Sequence, residues 1–214
     1  MRVLFIGGSG VISSACSRLA AESGIELCVF NRGLSLDRPL PVGVTVLRGD
    51  IRDPRSVREV LGGREFDAVV DWVAFTPEHV QADIDFFRGR TGQYVFISSA
   101  SAYQTPPARV PIVESTPLRN PFLRYSRDKI ACEELLRAAY RDDGFPATIV
   151  RPSHTYDQTT VPFDGRWTVL GRMLAGKPVS VHSEVPSPCT MTGLPASIRP
   201  STVHRPSNGT VVWS

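Results

Sequence analysis

The apolar positions of the chain fall into short compact runs, separated by stretches that repeat at a helical period. The runs Arg2 to Ile6, Glu26 to Phe30, Val44 to Leu47, Ala68 to Trp72, Tyr94 to Ser98 and Ala147 to Val150 are nearly continuous in apolar character. That is the pattern of parallel strands covered on both faces. Between them, Ile12 to Ser23, Pro54 to Leu61, Pro77 to Phe87 and Pro121 to Asp142 carry the spacing of amphipathic helices. Strands and helices in alternation predict an α/β fold, a doubly wound parallel sheet with right-handed crossovers. A further helix-like piece, Trp167 to Ala175, leads to a short run at Val179 to Val181. From Ser183 the period is lost: five prolines lie among serines and threonines, and Glu184 is the only acid. This composition predicts a poorly ordered tail over 183–214.

Composition narrows the class. With 42% hydrophobic and 21% charged residues, the chain is not disordered as a whole. A net charge of +3 spread over the 214 residues, with no basic run, speaks against nucleic acid as the main partner. The four cysteines form no CxxC pair. That pattern predicts no metal site and no disulfide framework, and reduced thiols in the cytoplasm. No apolar stretch is long enough to cross a membrane.

The first strand runs into Gly7-Gly8-Ser9-Gly10-Val11-Ile12-Ser13, which opens the first helix. A helix N-terminus offers unpaired N–H groups and a positive dipole end to a pyrophosphate, and glycines let the backbone approach it. A glycine-rich turn without a ligand is the alternative, and Ser13 stands where the usual fingerprint has its third glycine. In this context the loop predicts a Rossmann-type nucleotide-binding domain over 1–160. The second strand ends at Asn31-Arg32-Gly33, where an NAD-selective site commonly has an acid. Arg32 facing a 2′-phosphate points to NADP over NAD; a solvated arginine in a turn is the other reading, and Asp37 is a weaker rival for the ribose. After the third strand, Asp50 is placed to accept from an adenine amino group beside Ile51, or merely to cap a turn.

Tyr125 and Lys129 are one helical turn apart and share a face. A fixed ammonium beside a phenol favours the phenolate, and Lys129 could also reach a ribose hydroxyl. Such a pair is common on helix surfaces. It gains meaning from Ser98, Ser99 and Ser101, which follow a buried strand at the sheet end where ligands bind. At the ends of other strands, Val73 and Ala74 offer a small wall to a cofactor, Pro152 and Ser153 line a loop, and His154 reads as an ordinary loop histidine. Trp72 reads as core, Phe86 and Phe87 as core or dimer face, and Arg124 and Arg127 as solvated.

Gly7-Gly8-Ser9-Gly10, Gly49-Asp50-Ile51, Ser98-Ser99-Ala100, Tyr125-Ser126-Arg127-Asp128-Lys129 and Arg151-Pro152-Ser153 come in the order seen in extended short-chain dehydrogenases/reductases. Over about Met1 to His182 the chain resembles the NAD-dependent epimerase/dehydratase family. Asn31-Arg32-Gly33 and Tyr125 to Leu136 resemble an atypical branch that includes chloroplast stem-loop-binding proteins. The resemblance implies an oxidoreductase or isomerase of a nucleotide-sugar-like substrate. Ser99 would bond the reacting oxygen, with Ser101 as the local alternative, Tyr125 would be the acid/base, and Lys129 would tune it and hold the ribose. It also implies a homodimer through Pro77 to Phe87 and Pro121 to Asp142. Residues 161–182 would begin a substrate subdomain. The compositional break after His182 predicts that this subdomain is incomplete, as in a truncated or frameshifted reading frame, with weakened catalysis. A dinucleotide sensor without turnover, and an RNA-binding protein, are the competing functions.

Overall fold

The computed structural model describes residues 1–34 and 38–153, and four short strand segments at 155–156, 179–182, 188–191 and 211–212. Six strands form one sheet: β1 (Arg2–Ile6), β2 (Glu26–Asn31), β3 (Thr45–Arg48), β4 (Ala68–Asp71), β5 (Tyr94–Ile97) and β6 (Ala147–Val150). Their order is β3-β2-β1-β4-β5-β6, and every neighbouring pair is parallel. The order reverses between β1 and β4, which leaves a crevice at the carboxyl ends of these two strands.

Four helices cover the sheet: α1 (Val11–Glu22), α2 (Pro54–Leu61), α3 (Pro77–Phe87) and α4 (Arg124–Asp143). Because side chains alternate along a strand, the sheet feeds two cores. Leu4, Ile6, Cys28 and Phe30 pack with Val57, Leu61, Val80, Ile84, Cys132 and Leu136 from α2, α3 and α4. Val3, Phe5, Leu27 and Val29 pack with Ala20 of α1. Trp72 joins this second core, with its ring edge-on to Phe5 at 5.3 Å. Phe87 is buried in the first core, and Phe86 lies partly exposed beneath Arg90.

Local chemistry sets the helix ends. Asp53 Oδ1 accepts from the Arg55 amide at 2.9 Å, and Pro54 occupies the first turn of α2. α4 stops at Gly144, which is left-handed at φ 67°. It begins at Arg124, three residues after the predicted Pro121. The Asn120 side-chain oxygen accepts from the amides of Phe122 and Leu123 and holds an extended turn there.

Within the stretch expected to be a disordered tail, β9 (Pro188–Met191) pairs antiparallel with β8 (Val179–His182), and β10 (Val211–Val212) with β7 (Thr155–Tyr156). The remainder of 183–214 lies outside the described residues, as do Trp167 to Ala175, His154 and Asp37. Among the described residues, no helix is long and apolar enough to cross a membrane.

Candidate dinucleotide and substrate site

The glycine loop leaves β1 at the point where the sheet order reverses. Gly7 and Gly8 have φ of 96° and 136°. A Cβ on Gly7 would stand 3.2 Å from Val73 Cγ1, and one on Gly8 would stand 2.8 Å from Val29 Cγ1. The fold itself demands these two glycines, because the loop is wedged between β4 and β2. Gly10 is different. It has φ of −79° at the N-cap of α1, and a Cβ there would meet only Ser13 Oγ, at 3.3 Å. Neither backbone nor packing requires a glycine at Gly10, so its bareness keeps the helix N-terminus open. Ser9, Val11 and Ile12 are half-buried around that mouth. Ser13 is buried, and its Oγ accepts from the Gly10 amide at 2.9 Å. The replacement of the third glycine is thus accommodated, and one loop N–H is already bonded.

At the end of β2, Asn31 Oδ1 accepts from the Gly33 amide at 2.9 Å, so its side chain is committed to the turn. Arg32 is exposed. Gly33 lies directly against the guanidinium of Arg48, which register places opposite Asn31 on β3. Arg48 therefore joins Arg32 at this edge. Sequence reading missed it because the two are neighbours only through strand pairing.

Asp50 Oδ1 accepts from the Arg52 amide at 2.9 Å, forming a turn, whereas the cap of α2 is Asp53. Ile51 packs on the first core. Val73 and Ala74 sit at the crevice and are pinned from three sides. Asp71 Oδ1 accepts from both of their amides, at 2.5 and 2.8 Å. Arg52 Nη2 donates to the Val73 carbonyl at 2.5 Å, and Lys129 Nζ to the Ala74 carbonyl at 2.6 Å. Behind them Asp83 Oδ2 accepts from the Tyr94 hydroxyl at 2.6 Å. Burial, with the adjacent Asp71, pushes the Asp83 carboxyl well above its ordinary value.

Beyond β5, Ser99 caps a single 3₁₀ turn, Ala100–Ala102. Its Oγ accepts from the Ser101 amide at 3.2 Å and lies 2.9 Å from Ser101 Oγ. Ser126 Oγ donates to Ser101 Oγ, also at 2.9 Å. Ser99 and Ser101, rivals when counted along the strand, thus belong to one hydroxyl cluster. Tyr125 is 44% exposed, and its phenol lies near the Ser99 hydroxyl. Lys129 is 2% exposed, and its Nζ also donates to the Ile97 carbonyl at 2.7 Å. It lies 4.6 Å from the centre of the Phe96 ring and 5.7 Å from that of Tyr125. Burial brings Lys129 down to about 8. Burial raises Tyr125 above its ordinary value, and the Ser99 hydrogen bond opposes that rise. Two backbone carbonyls hold the Lys129 ammonium beneath the Tyr125 ring.

A buried ion pair fixes α4 against β5 and β6. Glu133 is fully buried and receives Arg151 Nε at 2.8 Å and Nη2 at 2.6 Å. Ser98 Oγ donates to the same carboxylate at 2.6 Å, and Arg151 Nη1 donates to the Tyr103 hydroxyl at 3.0 Å. Ser98 therefore faces α4 and not the crevice. Buried Asn120 donates to the Ser101 carbonyl at 2.9 Å, fixing the start of α4 over the serine turn. The Pro152 carbonyl accepts from the Ala100 amide at 2.9 Å, while Ser153 is exposed. Arg127 donates to the Pro121 carbonyl at 2.6 Å.

A glycine loop at the switch point and a Ser/Tyr/Lys cluster across it define a Rossmann-type protein of the short-chain dehydrogenase/reductase kind. The sequence model of the NAD dependent epimerase/dehydratase family matches residues 3–186, and the chain belongs to that family. It is 30% identical to the UDP-glucose 4-epimerase of Streptomyces lividans over 167 residues, covering 70% of this chain and 50% of the relative. It is 26% identical to the chloroplast stem-loop binding protein of 41 kDa b of Arabidopsis thaliana, covering 84% of this chain and 48% of the relative. The fold matches the UDP-glucose 4-epimerase of Bifidobacterium longum, solved with NAD+ and UDP, at a TM-score of 0.60 and 20% identity, over 71% of this chain and 52% of that one. The chain spans about half the length of the curated relatives it matches.

Proposed function

We propose that the chain binds NADP or NAD in the crevice between β1 and β4 and acts on the hydroxyl or carbonyl of a nucleotide sugar, as an epimerase or a reductase. One observation carries this reading. The open N-terminus of α1, the pinned Val73–Ala74 wall and the Ser99, Tyr125 and Lys129 side chains all sit at the carboxyl ends of the sheet.

The residues present fit a dinucleotide. Gly7 to Ile12 would hold the pyrophosphate, Asp50 and Ile51 the adenine, and Val73, Ala74, Pro152 and Ser153 the nicotinamide end. Arg32, with Arg48 beside it, favours a 2′-phosphate, since guanidinium groups bind phosphate through charge-assisted bonds. The bound nicotinamide would supply hydride acceptance and donation. Tyr125 holds the proton that leaves or joins the substrate oxygen, and Ser99 donates a hydrogen bond to that oxygen. Lys129 presents its ammonium to a ribose hydroxyl from beneath Tyr125. The three free cysteines among the described residues suit the reducing cytoplasm.

The test is Gly10→Asp. Aspartate is a good N-cap and the Gly10 backbone already suits it, so thermal stability holds or rises. A carboxylate at the mouth repels the pyrophosphate, so NADPH and NADH binding is lost. Retained binding with a folded protein defeats the proposal. A second expected result concerns cofactor choice. Replacing Arg32 and Arg48 together with alanine weakens NADPH by about tenfold or more, the scale of one charge-assisted hydrogen bond, and leaves NADH unchanged. Equal weakening of both in a fluorescence titration contradicts the arginine assignment.

The similarity to a stem-loop binding protein favours RNA binding as a second reading. It requires RNA affinity that falls steeply with salt.

A further inference from the structure

Lys129 is buried, and among the described residues no carboxylate forms an ion pair with it. A buried cation without a paired carboxylate needs stabilisation from elsewhere. An ammonium has three protons to give. Two go to the Ala74 and Ile97 carbonyls, at 2.6 and 2.7 Å. Three aromatic rings lie around the same group. Nζ is 4.6 Å from the centre of Phe96, 5.0 Å from Phe75 and 5.7 Å from Tyr125. All three are within the ~6 Å at which a ring face attracts a cation. Phe96 comes from β5 and Tyr125 from α4, and Phe75 comes from the loop between β4 and α3. The Phe75 amide donates to His79 Nδ1 at 3.2 Å, and its ring centre is 6.4 Å from that of Tyr125. Phe75 is 46% exposed, so packing in a core does not account for its ring.

We propose that Phe75 is a positioning residue: with Phe96 and Tyr125 it forms a three-ring cage that keeps the buried Lys129 side chain charged and ready for a ribose hydroxyl. The carbonyls fix where the ammonium sits, and the ring faces offset the loss of water around it. Phe75 is the wall that can be altered without touching the core, since Phe96 is fully buried. The titratable groups around the ammonium are Asp71 on β4, His79 on α3, and Tyr125, Cys132 and Glu133 on α4. All of them stay in place when Phe75 is replaced. The inference rests on the proposed function only in the use made of that charge.

The test is the ionisation of Lys129 in the cofactor-free protein, followed by ¹³Cε-lysine NMR. The chain has two lysines, Lys129 and Lys177, so Lys177→Arg assigns the resonance. A cage and a mere apolar cover predict opposite signs. Burial already brings Lys129 down to about 8. If Phe75 only excluded water, a smaller side chain would admit water and the pKa would rise. If its ring face stabilises the ammonium, Phe75→Leu lowers the pKa by about half a unit to one unit. Phe75→Trp restores the parent value, because indole offers the strongest ring face to a cation. Phe86→Leu is the control, since that ring faces Arg90, and it leaves Lys129 unchanged. An unchanged or raised Lys129 in Phe75→Leu, or an equal fall in Phe75→Trp or Phe86→Leu, overturns the proposal. Tyr125→Phe keeps its ring and so keeps the Lys129 value. If that variant turns over substrate like the parent, the proposed function fails while this titration stands.

Discussion

Tyr125→Phe is expected to lower turnover of a nucleotide-sugar substrate by about 10²–10⁴-fold, the usual contribution of general acid–base catalysis. The substitution removes one oxygen from a side chain that is 44% exposed, so the fold and the glycine loop are untouched. Cofactor affinity should hold while turnover collapses. Steady-state rates of both proteins, beside NADPH titrations, check the pair of expectations. The phenol is raised by burial in the cofactor-free protein, so the parent's rate of hydroxyl oxidation, which needs the phenolate, should climb as pH approaches the phenol's range. Equal turnover in Tyr125→Phe would remove Tyr125 from the mechanism and favour a dinucleotide-binding protein without this chemistry.

The largest effect on stability is expected at Glu133. Its carboxylate is fully buried and receives Arg151 through two short hydrogen bonds, a third coming from Ser98. Removing one partner of such a pair leaves the other charge uncompensated, which costs about 3–5 kcal/mol. Glu133→Ala should lower the unfolding free energy measured in urea by that amount, a large share of the ~5–15 kcal/mol that holds a typical domain together. Arg137, on the exposed side of the same carboxylate, contributes far less, because its side chain is 52% exposed. A Glu133→Ala protein that unfolds at the parent's midpoint would show that the pair is not structural.

The fold was legible wherever the information is local. Compact runs of Val, Leu, Ile and Phe marked the six strands of the main sheet to within a residue or two, most clearly in β1 and β2, which are buried almost throughout. The glycine loop was legible from its place between β1 and α1. Counting residues missed what depends on distant partners. Arg48 meets Gly33 only through the β2–β3 register. Asp71, Arg52 and Lys129 converge on Val73 and Ala74 from three separate elements. Glu133 is one turn beyond Lys129 and looks like an ordinary helix-surface acid until β6 brings Arg151 to it. The start of α4 was misplaced because Asn120, four residues upstream, bonds the amides that a helix at Pro121 would have used. Lys129 was picked out by its spacing from Tyr125, but its ammonium is held by the Ala74 and Ile97 carbonyls, which no spacing rule discloses.

The crevice between β1 and β4 is proposed to hold a dinucleotide. Titrating the 214-residue chain with NADPH and with NADH, followed by nicotinamide fluorescence, tests it most directly. Saturable binding of both is expected, tighter for NADPH because Arg32 and Arg48 would edge the ribose end. No saturable binding of either nucleotide to the folded chain would contradict it.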